Sequence, residues 1–159
     1  MTVADPDLLE TIAEQIMAAV EAEWAAQTLT LPDRRYLTTG VVAADCEQLV
    51  VSLIAAFAGR PAAEEPQTEW TFDKIRTATY AVELWRCVVA GSAATIGSLD
   101  AEGRARLRDG WLLHRGLVEA VLAGGIVGCR DGSVGRLETI GPEGAFAGLR
   151  VTVDVLVGL

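Results

Sequence analysis

The clearest fold signal in the chain is the stretch Ile75–Val89, which reads IRTATYAVELWRCVV and carries an apolar side chain at nearly every second position. The apolar set lies at even positions and consists of Ala78, Tyr80, Val82, Leu84 and Val88. Successive side chains of a β-strand point to opposite faces of the sheet, so this spacing gives a strand one apolar face. We predict a strand whose even positions face the core, with odd positions such as Thr77, Thr79 and Glu83 mostly solvated.

A second apolar run, Cys46–Phe57, precedes it and reads CEQLVVSLIAAF. Both alternate sets of its positions are apolar, and Asp45 could cap a helix, so the pattern fits either a helix or a strand. We favour a central strand ended by Gly59 and Pro61, because β-branched residues at both faces suit a strand that is buried on both sides. The segment between the two runs, residues 59–74, is too long for a tight turn, and we expect a projecting arm.

The N-terminal segment has the signals of an amphipathic helix. Asp5 and Pro6 form an N-cap and first-turn pair, and apolar residues then recur at steps of three and four. This stripe contains Leu9, Ile12, Ile16, Val20 and Trp24. We predict a helix from about Pro6 to Ala26, docked through the stripe. A turn at Leu31–Arg35 and a short strand at Tyr36–Val42 should follow.

A second helix is expected after a loop of small residues at Gly91–Gly97. It should begin at Ser98 or Asp100 and run to about Leu122. The side that we predict to pack on the sheet carries Leu107, Trp111, Val118, Val121 and Leu122. This helix would form the second layer of the domain.

The C-terminal segment is typical of a β-hairpin. Strands are predicted at Ser133–Ile140 and Leu149–Val157, joined by a turn region at Gly141–Gly144. The resulting order of helix, strands, helix and strands indicates an α+β fold. We expect one domain over residues 1–159, with a mostly antiparallel sheet packed against two main helices in two layers.

Composition excludes several function classes. The chain has 159 residues and a formal net charge of -9, which disfavours binding to a phosphate backbone. Its N-terminus is acidic, unlike a targeting peptide, and no apolar run reaches the roughly 18 residues needed to span a bilayer. Hydrophobic residues make up 51% of the chain. Either other subunits cover the surplus apolar surface, or the core is rich in Ala and Val.

The cysteines give no sign of catalytic, redox or metal chemistry. Cys46, Cys87 and Cys129 are odd in number and widely spaced, which suits unpaired thiols in a reducing cytoplasm. Cys46 lies between Asp45 and Glu47, whose charges would disfavour a thiolate. We expect the cysteines to be small buried side chains, with Cys46 in the core.

The remaining candidates for chemistry also have structural interpretations. His114 is the only histidine, and a lone histidine on a helix flank is usually structural. Gly124, Gly125 and Gly128 follow a helix, whereas a phosphate-binding loop follows a strand, so we predict a helix C-cap and turn. The sequence therefore predicts no catalytic residue, no cofactor and no metal site.

Aromatic side chains on loops are the candidates for contact with a partner. Trp70 and Phe72 lie in the predicted arm, and Phe146 lies in the predicted hairpin tip, Gly144–Gly148. Aromatic residues anchor protein interfaces because they bury large areas at small entropic cost. They can equally fold back on their own core. We predict Trp70, Phe72 and Phe146 as subunit or partner interface residues.

Four stretches of the chain resemble a known family. They are DCEQLVV at 45–51, TYAVELWRCV at 79–88, DGW at 109–111 and LRVTVDV at 149–155. Together they resemble tail terminator or head-tail connector proteins of long-tailed actinobacterial phages, and the likeness covers nearly the whole chain. The order of elements is similar to that of the minor tail protein U type of tail terminator.

The resemblance implies a structural virion protein that is not an enzyme. Such a protein forms a hexameric ring at the head-proximal end of the tail tube, stops tube polymerisation and provides the head-docking surface. Its implied partners are further copies of itself, the tail tube protein and the head-tail connector or stopper protein. DNA would pass through the ring without specific binding. The implied location is the virion neck, after assembly in the host bacterial cytoplasm.

Three alternatives remain open at this point. The first is another neck component, such as a stopper or an adaptor. The second is a small cysteine-dependent hydrolase built on Cys46 or Cys129 with His114. The third is a binding module that is directed at the host and unrelated to virions.

Overall fold

The computed structural model describes residues 6–43, 45–57, 77–88, 94–126, 129–143 and 145–157. The elements run in the order α1 (Pro6–Ala26), β1 (Arg34–Thr39), β2 (Gln48–Phe57), β3 (Thr77–Cys87), α2 (Ile96–Leu122), β4 (Cys129–Glu143) and β5 (Phe146–Val157). These two helices and five strands confirm the predicted α+β fold. The predicted arm, residues 59–74, lies outside the described residues, as do Gly59 and Pro61.

The strands form one sheet in the order β1-β2-β3-β5-β4. β1 and β2 are parallel, and the other three pairs are antiparallel. β3 lies at the centre, where every residue from Thr77 to Cys87 is paired with β5. The two apolar runs of the sequence are therefore neighbouring inner strands, as predicted, and β1 and β4 are the two edges of the sheet.

Both helices pack on one face of the sheet. The core on this face combines the even positions of β3 with odd positions of β2 and β5, such as Val51 and Val151, which flank Val82 in register. On α1, the predicted stripe is confirmed, because Ile12, Ile16, Val20 and Trp24 are buried and Leu9 packs against them. Burial of each such aliphatic side chain contributes about 1.5–3 kcal/mol.

α2 begins earlier than predicted. Thr95 is its N-cap, and the hydroxyls of Thr95 and Ser98 bond reciprocally to the backbone amides in a capping box. Gly97 therefore lies inside the helix rather than in a loop. The C-terminus is as predicted, since Gly124 adopts a left-handed φ of +65° directly after the C-cap, Ala123.

The predicted buried side of α2 is wrong. Leu107, Trp111 and Leu122 are exposed, and Val118 and Val121 are only half-buried. The side that packs inward carries Asp109, Gly110, Leu112, Leu113, Gly116 and Leu117.

Two glycines on α2 explain this choice of side. A β carbon at Gly116 would lie 3.1 Å from Glu23 Cβ on α1, and one at Gly110 would lie 2.6 Å from Leu137 Cδ2 on β4. The lack of a side chain at both positions lets α2 approach α1 and β4 closely. The inward side of α2 is therefore set by close packing rather than by the largest apolar residues.

The odd positions of β3 are less solvated than predicted. Thr77 and Glu83 are buried, and Thr79 is half-buried. Glu83 accepts hydrogen bonds from Trp85 Nε1 at 2.9 Å and from Arg150 Nε at 2.8 Å. Because its donors come from the same face of the sheet, the carboxylate is satisfied without water.

The connection from β1 to β2 covers part of that second face. Ser52 Oγ donates to Gly40 O at 2.6 Å, and Gln48 Nε2 donates to Ala43 O at 2.7 Å. Arg34 forms an ion pair with Asp45, and their hydrogen bond lowers the pKa of the Asp45 carboxyl. The sheet is therefore partly covered on the face opposite the helices.

The prediction of unpaired, buried cysteines is wrong for two of them. Cys46 and Cys87 form a disulfide with their Cα atoms 4.8 Å apart, although 41 residues separate them in sequence. Cys46 is half-buried and Cys87 is exposed, so neither is a core residue. The register that pairs Gln48 with Trp85 brings the two cysteines to opposite positions at the ends of β2 and β3.

Strand bounds differ from the prediction by a few residues. β1 starts within the predicted turn, at Arg34, and ends at Thr39 instead of Val42. β4 and β5 start at Cys129 and Phe146 instead of Ser133 and Leu149. The longer strands shorten the hairpin tip.

Candidate interaction surface

The outward side of α2 carries an exposed row of large apolar residues. Their exposed fractions are 88% for Ile96, 51% for Leu99, 76% for Leu107, 57% for Trp111 and 81% for Leu122. At 100° per residue these five positions fall on one side of the helix. We call them the α2 stripe. Single exposed apolar residues are common, but five large ones on one side of a helix make this side a candidate interaction surface.

Trp111 is held in place although it is exposed. The Arg115 guanidinium lies 5.0 Å from the centroid of the indole ring, within range of a cation-π contact. Arg115 Nε also donates to Glu119 at 2.8 Å, a hydrogen bond that raises the pKa of Arg115. Its Nη1 atom lies 3.6 Å from Glu23 on α1. These contacts orient Arg115 over the Trp111 ring on the surface of α2.

Strand β4 continues the apolar surface beside α2. Leu137 on β4 is partly exposed and contacts α2 at Gly110. His114 Nε2 donates to Gly135 O at 3.1 Å, in the tautomer that carries the proton on Nε2, and ties the helix to the strand. This contact gives His114 a structural role. β4 is also a sheet edge, and three register shifts interrupt its pairing with β5.

The opposite flank of the domain contains a groove between α1 and β1. Its apolar part has a volume of about 450 Å³ and is lined mainly by Leu9, Ala13, Leu37, Leu53 and Tyr80. A more polar part of about 380 Å³ continues from Leu37 along the same helix to Glu21 and Arg35. We call the two parts together the α1–β1 groove.

The helix side of this groove is acidic. Glu10 and Glu14 are exposed on α1, one turn apart. Glu21 lies further along the helix and pairs with Arg35 at 3.2 Å. The groove therefore combines an apolar floor with a negatively charged lip.

A third cavity, of about 380 Å³, lies between the N-terminal half of α2 and the ends of β2 and β3. Arg86 joins these elements, because it bonds to Asp109 at 3.1 Å and to Glu47 at 2.8 Å. Within the described residues, Trp24 Nε1, Arg106 Nε and Asp109 Oδ1 are buried without a hydrogen-bond partner.

The charges around this third cavity balance one another. Its lining contains three guanidinium groups and three carboxylates, which belong to Arg86, Arg106, Arg108, Glu47, Glu102 and Asp109. Such a set selects neither an anion nor a cation. The ion pairs of Arg86 with Glu47 and Asp109 join α2 to the sheet.

The structure bears on the predicted interface residues only in part. Phe146 is half-buried as the first residue of β5, opposite Cys87 and Glu143, and not in a hairpin tip. Trp70 and Phe72 lie outside the described residues. The partner contacts of all three stay predictions. The sequence did not predict the α2 stripe, because its pattern indicates that Leu107, Trp111 and Leu122 pack on the sheet and places Ile96 in a loop.

The described part of the chain contains neither a group of metal ligands nor a membrane-spanning helix. In those ranges, no three His, Cys, Asp or Glu side chains are grouped so that they could hold a metal ion. None of the described helices has the length and apolar character needed to cross a membrane. No family model matches the sequence, and no curated protein shows significant similarity to it.

Proposed function

We propose that this chain is a structural protein of a phage virion, a tail terminator that acts as a ring of identical copies. The ring occupies the head-proximal end of the tail tube and ends polymerisation of the tube protein. Its exposed end provides the docking surface for the head-tail connector or stopper protein. DNA passes through the ring without sequence-specific binding.

The observation that carries this proposal is the α2 stripe. A folded copy leaves five large apolar side chains exposed on one helix, and Trp111 is held in a fixed orientation among them. An assembly subunit requires apolar surface that other copies can cover, and the stripe provides such a surface. The stripe is thus apolar surface that identical copies would cover on assembly.

The arrangement of the two flanks of the domain is compatible with a ring. One flank of the domain is formed by α2 and β4 and carries the α2 stripe, and the other is formed by α1 and β1 and carries the α1–β1 groove. Contacts between unlike flanks are heterologous, and repeating them closes a ring when the rotation permits.

The acidic balance of the chain supports the passage of DNA. A net charge of -9 per copy repels the phosphate backbone, which prevents tight binding within a channel. A ring that gripped DNA would delay genome transfer. Low affinity for DNA is therefore an expected property of this component.

The proposal is tested by adding the purified chain to polymerising tail tube protein. Negative-stain electron microscopy should show a ring at one end of each tube and a tube length that stops increasing. A chain that leaves tube growth and tube ends unchanged would contradict termination. A chain that binds a finished neck without affecting tube length would instead be a stopper or an adaptor.

A further inference from the structure

We infer that the α2 stripe of one copy docks into the α1–β1 groove of the next copy. The occupant of the groove is thus a second copy of this chain, and the closed form of the assembly rests on the ring proposed above. The two surfaces are complementary in position, in shape and in charge.

Position is the first ground for this assignment. The sheet order places β1 and β4 at opposite edges, and each edge strand has a helix beside it. α2 contacts β4 and β5, whereas α1 contacts β2 and contributes to the groove beside β1. The stripe and the groove therefore lie on opposite flanks. Each copy can contact one neighbour through its stripe and the other neighbour through its groove, and a rotation repeats this contact.

Shape is the second ground. Leu107 and Trp111 project from α2, one helical turn apart. The groove has an apolar floor that includes Leu9, Leu37 and Leu53, and it is open along α1. A helix that lays apolar anchors at i and i+4 into such a groove is a recurrent mode of recognition. A fully buried Trp side chain removes about 150–250 Å² from water, so Trp111 would be the main anchor.

Charge is the third ground, because opposite charges on the two surfaces favour a second copy of this chain as the partner. Arg104 and Arg108 are exposed on α2 beside the stripe. Arg104 Nε donates to Asp100 at 2.8 Å in a solvent-exposed pair, which contributes little to stability, and Arg108 Nη2 lies 3.9 Å from its neighbour Asp109. Glu10 and Glu14 lie on the lip of the groove. Both pairs have i,i+4 spacing, which corresponds to about 6 Å along a helix, so the two arginines can face the two glutamates.

A charge-swap experiment tests the contact between copies. The variants are R104E/R108E, E10R/E14R and the combination of all four substitutions, and sedimentation equilibrium gives the association constant. Each double variant should weaken association by about tenfold or more, because like charges then face each other. The combined variant should recover most of the wild-type association constant. Weaker association in all three variants, or in none of them, would overturn the pairing of the two arginines with the two glutamates.

Apolar truncation provides a second measurement with a matched control. Leu107→Ala and Trp111→Ala should each weaken association, whereas Ile54→Ala should not, because Ile54 is exposed on β2 outside both surfaces. Circular dichroism and the thermal midpoint will show whether each variant is folded. A wild-type chain that sediments as a monomer at every concentration would overturn the inference.

The outcomes separate this inference from the proposed function. The association constant could fall in each double variant and recover in the combined variant while tube growth stays unchanged. This result would support the contact between copies and contradict the terminator role. Terminated tubes whose end rings form equally well with R104E/R108E would keep the role and overturn the contact. Tube capping that is lost in each double variant and restored in the combined variant would support both the contact between copies and the terminator role.

Discussion

The indole ring of Trp85 lies over the backbone of Gly148, and three ring atoms are 2.9–3.0 Å from the position that a β carbon on residue 148 would occupy. Both residues are buried and form a pair between β3 and β5. Trp85 Nε1 also donates to Glu83, which fixes the ring against the sheet. The glycine is therefore required by the close approach of an aromatic ring on the face opposite the helices.

Gly148→Ala should destabilise the protein by about 1–3 kcal/mol, because the added methyl group would displace a buried ring in the middle of the sheet. Gly103→Ala is the matched control, since nothing lies within 4 Å of a β carbon at that position on α2. The control should be neutral or stabilising by up to about 1 kcal/mol through helix propensity. Urea unfolding measures both changes. Equal effects of the two substitutions would contradict this description of Gly148.

Removal of the Glu83 carboxylate should also destabilise the sheet. Glu83→Ala leaves Trp85 Nε1 and Arg150 without their acceptor, and we expect a loss of about 2 kcal/mol. Glu83→Gln keeps one oxygen acceptor and should lose about half as much. Glu138→Ala breaks the more exposed pair with Arg136 and should change the free energy of unfolding by about 0.5 kcal/mol or less. Similar losses for Glu83→Ala and Glu138→Ala would refute the buried role of Glu83.

The disulfide between Cys46 and Cys87 should stabilise the oxidised protein. By the chain-entropy relation, a cross-link between residues 41 apart contributes up to about 4 kcal/mol, and reduction should lower the denaturation midpoint accordingly. Cys129→Ser should keep this sensitivity to reductant, whereas Cys46→Ser should abolish it. Thiol titration of the oxidised protein in denaturant should find one free thiol. Three free thiols would show that the pair is not bonded.

Tyr80 should make the protein less stable at high pH. Burial raises the pKa of the Tyr80 hydroxyl in the folded state above its value of about 10 in the unfolded chain. Its contribution to stability is therefore complete below pH 10 and is lost as the pH rises further. Tyr80→Phe lacks this loss, although it also lacks the hydrogen bond to Leu9 O at 2.9 Å. The difference in unfolding free energy between wild type and Tyr80→Phe should shrink between pH 9 and 11; a constant difference would disprove the effect.

Periodicity predicted those parts of the fold in which one face alone is apolar. The stripe on α1 and the even positions of β3 are such cases, and their burial agrees with the pattern. α2 has apolar residues on two sides, with Leu107 and Trp111 on one and Leu113 and Leu117 on the other. The side with Leu113 and Leu117 packs inward because it also carries Gly110 and Gly116. The lack of a side chain at these two positions allows close approach to β4 and α1.

Features that depend on long-range register could not be read from the sequence. The disulfide requires the pairing of β2 with β3, and burial of Glu83 requires Arg150 from a strand 67 residues away. The sequence did not predict the candidate interaction surface for a related reason. The helical pattern predicts that three of its members, Leu107, Trp111 and Leu122, are buried, whereas the packing of α2 against Leu137 and α1 leaves them exposed.

Electron microscopy of phage particles that lack this protein tests the proposed role in the virion. Without a terminator, the tube protein continues to polymerise, and the tail lacks the surface to which the head docks. We expect overlong tails, heads without tails, or both, and complementation by the wild-type chain but not by Leu107→Ala/Trp111→Ala. Particles with joined heads and tails of normal length would contradict the proposal.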